Sequence, residues 1–431
     1  MSGRGMSAAA QREARASLAQ SFLARFEGLK ARLPGDARAR EAAALAFGER
    51  GLPGPRDEAW KYTNLRALAG MAFHEPFTVV AGCNGLLDRL PAIAAPRLVF
   101  VDGRLRQDLS RLPGTMRVSG FAQTPDFGTL VHPEREPLAA LNTMLAQDGA
   151  MISVAEGVDA GTLVLASLAA DVHGRPVAFH PRHRVRLARG ARLTLIEISL
   201  GEGVYLHNPV SEVLVGQGAV LTHVRLQDEA PGAFHLATLY ADIAARGTYD
   251  GFALNIGARI ARTEIHARLG GENAVAHLNG AQLLGGTQHA DFTSVVSHEA
   301  PSCTSRQTIK NVLSGKSRGV FQGRIEVARG AQKTDGYQMN QALLLSADAE
   351  IDSKPELEIY ADDVKCSHGA TVGALDADQI FYLRSRGVPE PEARALLVRA
   401  FLAEALDPIA DETARTCLDE AVERWWERQA A

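Results

Sequence analysis

The chain has 431 residues, with 46 Lys or Arg against 50 Asp or Glu and a formal net charge of −4. That balance gives no whole-protein reason to expect nucleic-acid binding, and no uninterrupted apolar run reaches the roughly 18 residues a membrane-spanning helix needs. Hydrophobic residues at 46% and charged residues at 22% are ordinary for a globular protein of about two or three domains.

The first 22 residues, MSGRGMSAAAQREARASLAQSF, lack the continuous apolar core of a secretory signal. They are rich in Ala, Arg and Ser, but Glu13 and Glu27 speak for a surface helix with a frayed start rather than a transit peptide. Leu18, Phe22, Leu23, Phe26, Leu29 and Leu33 recur in steps of three and four, which places one apolar stripe on a helix ended by Pro34-Gly35. A second helical stretch closes near Gly51-Leu52-Pro53-Gly54-Pro55, and Trp60-Lys61-Tyr62 follows as a packing anchor between helix and loop. Arg97 to Gly103 reads as a strand closed by a turn, and Pro137 to Gln147 as a helix. Residues 1–150 are therefore expected to form a mainly helical region with a few strands.

From 151 to 370 the texture changes to short alternating runs separated by Gly, Asn and Asp. Thr263 to Leu269 alternates cleanly, as do Phe321, Gly323, Ile325 and Val327 against Gln322, Arg324 and Glu326, the period of two expected of strands. Gly190-Ala191-Arg192-Leu193-Thr194 is echoed by Gly218-Ala219-Val220-Leu221-Thr222. Sandwich, barrel and β-helix all fit this pattern, and the echo favours a β-helix whose coils stack on one another. In Leu193, Leu195, Ile196, Ile198 and Leu200 the apolar parity switches, which suggests a strand bent through a corner or bulge.

After Gly373, residues 371–431 return to helix. Asp376 is placed to cap a helix from about Ala377 to Arg386, with Gly387 beyond its end. Leu396, Leu397, Ala400, Phe401 and Leu402 form the stripe of a second helix, and Cys417, Leu418, Val422, Trp425 and Trp426 that of a third. The paired tryptophans suit packing within the chain or against a partner equally well.

Ser314-Gly315-Lys316-Ser317 ends like a phosphate loop, but Lys310 occupies the required first glycine and a strand pattern follows instead of a helix. It reads as a basic turn, and no nucleotide is expected on this chain. The 13 histidines form no HExxH, and those on strands, such as His223, His266 and His277, read as surface or hydrogen-bonded residues. Ser297-His298 and Cys303 lack an acidic partner at a known spacing. The four cysteines, Cys83, Cys303, Cys366 and Cys417, are far apart without a CxxC pair, so a reducing, cytoplasmic compartment is expected rather than a disulfide framework.

Cys366-Ser367-His368 is the stretch with chemistry in it. On an extended segment its thiol and imidazole point to one face, and both donors suit iron, zinc or copper(I). Lys365 would lower the thiol pKa while Asp362 and Asp363 would raise it. Two ligands leave a tetrahedral site half filled, so further donors must come from elsewhere in the chain or from another subunit. Read on spacing alone, a structural Cys and His at a strand end fits as well.

The run from Cys303 to Arg399 resembles the SufB/SufD family of the SUF iron–sulfur assembly system. It includes SCTSRQTIKNVLSGKSRGVFQGRIEVARGAQKTDGYQMNQALLLS and DSKPELEIYADDVKCSHGATVGALDADQIFYLRSRGVPEPEA. The likeness thins over 151–300 and rests on Glu58 to Thr63 near the start. Ala349 stands where SufB-type members carry a cluster-building cysteine, which points to the SufD branch.

The resemblance implies a right-handed parallel β-helix core flanked by N-terminal and C-terminal α-helical domains. It implies pairing with SufB through the β-helices and docking of the ATPase SufC on the C-terminal helices. It further implies a nascent iron–sulfur cluster shared with the partner, with His368, and less firmly Cys366, as interface ligands on a non-catalytic subunit. A flavin is associated with the family's complex, and no residues here mark a flavin site. Two alternatives stand beside this reading: a SufB-like homodimeric scaffold, disfavoured by Ala349, and a polysaccharide-cleaving β-helix enzyme, disfavoured by 6% aromatic residues.

Overall fold

The computed structural model describes residues 8–76, 83–170 and 174–430. From Ala150 to Gly373 the chain alternates between two facing sheets and builds a parallel β-solenoid of about eight turns. One sheet stacks Arg192–Gly201, Val220–Asp228, Thr248–Asn255, Val275–Leu284, Thr304–Leu313, Asp335–Leu344 and Lys365–Gly373 in that order. The other stacks Val210–Val215, Phe234–Ile243, Ile260–Leu269, His289–His298, Arg318–Val327 and Glu350–Ile359. Every pairing between these neighbours is parallel. The echo at Gly190 and Gly218 is one coil lying on the next: Arg192 pairs with Val220 and Thr194 with Thr222.

The switch in apolar parity has a different cause from the expected corner. Arg192–Gly201 is one uninterrupted strand. Leu193 and Leu195 face the solenoid interior, whereas Ile196, Ile198 and Leu200 join the core beneath the C-terminal helices. The side that excludes water changes along the strand, not the strand's direction. The next coils repeat this: Leu221 and Tyr249 point inward, Val224, Leu226, Phe252 and Leu254 outward. The interior positions of those second halves are consequently polar, with Glu197, Ser199, Arg225, Gln227 and Asn255 around an internal cavity. A register shift does occur one strand earlier, in Asp159–Ala169 between Asp159 and Thr162, where Gly161 takes φ +68°.

Helices cover the outer faces. Ala8–Leu29, Ala37–Arg50 and Pro137–Leu145 pack Phe22, Phe26, Phe47 and Leu141 against Ala178, Leu206, Phe234 and Leu236. Trp60 is the anchor its surroundings suggested: it is buried, and the Arg262 guanidinium lies over its ring at 4.1 Å. Arg97–Val101 and Arg117–Gly120 lie within the mainly helical N-terminal segment yet belong to the two sheets, the first pairing in parallel with Asp159–Ala169.

On the opposite side, Glu390–Leu406 and Glu412–Ala430 pack Val398, Leu402, Leu418 and Trp425 onto the first sheet. Trp425 is buried there and Trp426 lies partly buried beside it, so the tryptophan pair packs within the chain. Asp376 caps Ala377–Ser385 as expected, accepting from the backbone N–H groups of Asp378 and Gln379 at 2.8 and 3.3 Å, and Gly387 adopts φ +89°. No helix among the described residues is long and apolar enough to cross a membrane.

Candidate functional site

The solenoid ends without a cap among the described residues. Glu350–Ile359 and Lys365–Gly373 are the outermost strands of their sheets, and neither contains a fully buried residue. The two edges differ chemically. Glu350–Ile359 carries Pro355, which has no N–H to offer a further strand, and Lys354, Glu356 and Glu358, the features that protect an edge. Lys365–Gly373 has neither proline nor charge from Cys366 onward. It is an unprotected edge with its backbone groups free to pair.

Cys366 and His368 lie on this strand. Register pairs Cys366 with Gly336, His368 with Gln338, Ala370 with Asn340 and Val372 with Ala342. All four partners are buried, so Cys366 and His368 occupy positions that would be interior if another coil followed. Without that coil His368 is exposed. Cys366 is half-buried and packs against the interior core. Gly336 leaves it room: a Cβ there would come within 3.4 Å of the sulfur. Burial pushes the Cys366 thiol up, outweighing the Gly336 backbone contact that lowers it, and Asp335 adds to the rise. The competition expected between Lys365 and the two aspartates is thus overtaken by desolvation, which favours the protonated thiol.

Two sets of three candidate metal donors occur among the described residues, and neither includes Cys366 or His368. The other cysteines lie elsewhere. Cys83, Cys303 and Cys417 are buried, Cys303 points its sulfur at the Gly271 carbonyl at 3.2 Å, and burial pushes the Cys417 thiol up to about 12. His298 engages Ser305 at 2.9 Å rather than Cys303. Ser314 to Ser317 is the turn between Thr304–Leu313 and Arg318–Val327, with Gly315 at φ +64°. Ala349 is buried just before Glu350–Ile359.

Sequence reasoning passed over a polar constellation inside the solenoid: His207, Glu229 and His235, all buried. His207 pairs in register with His235 on adjacent parallel strands. The separation of the two histidines along the chain equals that of Gly190 and Gly218, so the coil repeat was the signal that could have joined them.

The central and C-terminal part of the chain, residues 169–401, matches the family model described as "SUF system FeS cluster assembly, SufBD core domain". The chain is 36% identical over 373 residues to the iron–sulfur cluster assembly protein SufD of Escherichia coli, covering 84% of this chain and 86% of that protein. It is 32% identical over 400 residues to a SufBD family protein of Synechocystis, covering 86% of each. It is 29% identical over 405 residues to the chloroplastic protein ABCI7 of Arabidopsis thaliana, covering 88% of this chain and 83% of that one. With the parallel solenoid and these likenesses together, the chain belongs to the SufB/SufD family of the SUF iron–sulfur cluster assembly system, on its SufD branch.

Proposed function

We propose that this chain is a non-catalytic subunit of a SUF scaffold, pairing with a SufB-type partner through the open end of its solenoid. The observation that carries the reading is the strand Lys365–Gly373, a long edge with no charge or proline from Cys366 onward. A partner strand laid along it would complete the backbone hydrogen bonds by β-augmentation and cover the inward-facing row of Cys366, His368, Ala370 and Val372. His368 would then contribute an imidazole to a nascent iron–sulfur cluster, the cargo of the assembly, with thiolates from the partner. Cys366, whose thiol burial favours in the protonated form, would join only as a thiolate, its proton displaced by the metal and released to solvent. The site is thus shared between subunits, and the chain supports iron acquisition by supplying part of the ligand set. The setting we assign is the cytoplasm.

The C-terminal helices would engage the ATPase SufC. Ala377–Ser385 has no buried residue and presents Phe381 and Tyr382 at 73% and 56% exposure, aromatic anchors of the kind that concentrate binding energy. Any flavin would belong to the assembled complex.

The test is His368→Ala in the co-expressed complex, with iron and acid-labile sulfide counted per complex. Loss of cluster with the subunits still co-purifying supports the reading. Unchanged iron and sulfide remove His368 from it. A subunit that no longer co-purifies with SufB after Ala370→Pro, which blocks a backbone donor on the edge, would support pairing through that strand; undiminished co-purification would place the contact elsewhere.

A further inference from the structure

We propose that His207, Glu229 and His235 form a site for one divalent transition-metal ion inside the solenoid, separate from the exposed end that carries His368. The ligand atoms of the three residues all lie within 4.8 Å of one another. His207 Nδ1 is 3.0 Å from Glu229 Oε1, and His235 Nδ1 is 2.6 Å from Glu229 Oε2. Metal–nitrogen and metal–oxygen bonds of about 2.0–2.2 Å place neighbouring ligand atoms roughly 3 Å apart, so an ion fits between these groups after small side-chain adjustments.

The arrangement is better explained by an ion than by protons alone. The His235 nitrogen, though 2.6 Å from the carboxylate, is too poorly aligned for a hydrogen bond. An interior position that concentrates two imidazoles and a carboxylate and leaves His235 Nδ1 unsatisfied carries a desolvation cost; a cation held by the two Nδ1 atoms and the Glu229 carboxylate would offset it.

The scaffold holds the donors rigidly. The two histidines sit in register on Tyr205–His207 and Phe234–Ile243, with ring centroids 4.9 Å apart. Glu229 comes from the turn after Val220–Asp228. Gln227 Nε2 donates to Glu229 Oε2 at 3.1 Å and Gln227 Oε1 accepts from the Gly257 N–H at 3.1 Å, an outer layer that orients the carboxylate as metal sites require. Against the histidines lies a cavity of about 30 Å³, lined also by His183, Glu197 and Thr238, large enough for a water as a fourth ligand. Two imidazoles with one carboxylate suit Fe²⁺, Co²⁺ or Zn²⁺ and offer too few oxygens for Mg²⁺ or Ca²⁺.

The test uses the full chain carrying Cys366→Ser and His368→Ala, which removes the exposed donors. It is purified from metal-supplemented cells for metal analysis and, after chelator treatment, titrated with Co²⁺. The expected result is one equivalent of metal, a Co²⁺ visible spectrum of nitrogen–oxygen ligation, and at least a tenfold weaker affinity in His207→Gln and Glu229→Gln. Absence of bound metal in both preparations overturns the proposal, as does a full equivalent persisting in both variants. Should those variants fail to fold, anomalous diffraction from the metal-loaded parent decides: an ion at His207 and His235 supports the site, and an ion elsewhere or none refutes it.

Discussion

Arg262→Met removes the charge on which the junction between solenoid and N-terminal helices depends. Arg262 is 1% exposed; it contacts Asp291, lies 3.1 Å from Glu264, and stacks over Trp60. Burial alone would raise the Glu264 carboxyl, but Arg262 and His266 outweigh it and hold it down at about 2. Losing one member of a buried pair costs about 3–5 kcal/mol because the remaining charge stays unpaired. Here two carboxylates lose a partner, but His266 still contacts Glu264, and Thr63 and Thr293 still donate to Asp291. Those donors recover part of the loss, and the cation–π contact adds about 1 kcal/mol to it, so the net expectation is about 4–5 kcal/mol. Urea denaturation of the single variant is compared with that of Arg262→Met/Glu264→Gln/Asp291→Asn, in which none of these three charges remains. The triple variant should regain at least half of the loss. A single variant within about 1 kcal/mol of the parent, or a triple variant no more stable than the single, would refute the reasoning.

Further outcomes follow from the same physics. Burial drives His180 down to about 3, and His289 and His298 down to about 4. The unfolded chain takes up protons near pH 6.5 while these native imidazoles stay neutral, so their contribution is full above that pH and is lost as pH falls toward the folded values. Each should cost about 1.4 kcal/mol per pH unit in that window; an unfolding midpoint unchanged between pH 7 and 5 would contradict it. Lys310 is buried, with Glu404 and Gln341 as partners and the Phe401 ring 4.5 Å away, while Glu404 itself is 67% exposed. Lys310→Met should therefore be nearly neutral, and Glu404→Ala should cost about 2–3 kcal/mol by leaving the lysine underpaired; calorimetric melting that reversed this order would be decisive against it. At Gly257 a Cβ would meet the Glu229 backbone nitrogen at 2.3 Å, so Gly257→Ala should destabilise by about 1–3 kcal/mol, measurable as a lowered urea midpoint.

Much of the architecture was written in short-range pattern. The stripe of Leu18, Phe22 and Phe26, the Asp376 cap and the alternation of Phe321 to Val327 each depend on residues within a turn or two of one another. Local sequence therefore determines them, and it also places a thiol and an imidazole two apart on one strand. The parity switch in Arg192–Gly201 was legible as a fact but not in its cause, because which face of a strand stays dry depends on the helices at the far end of the chain. The same holds for the interior: His207, Glu229 and His235 meet only when one coil is laid on another. Sequence fixes what each strand carries on its two faces. Only the stacking of coils decides which side chains share an interior, and only the place where stacking stops leaves His368 at an open edge.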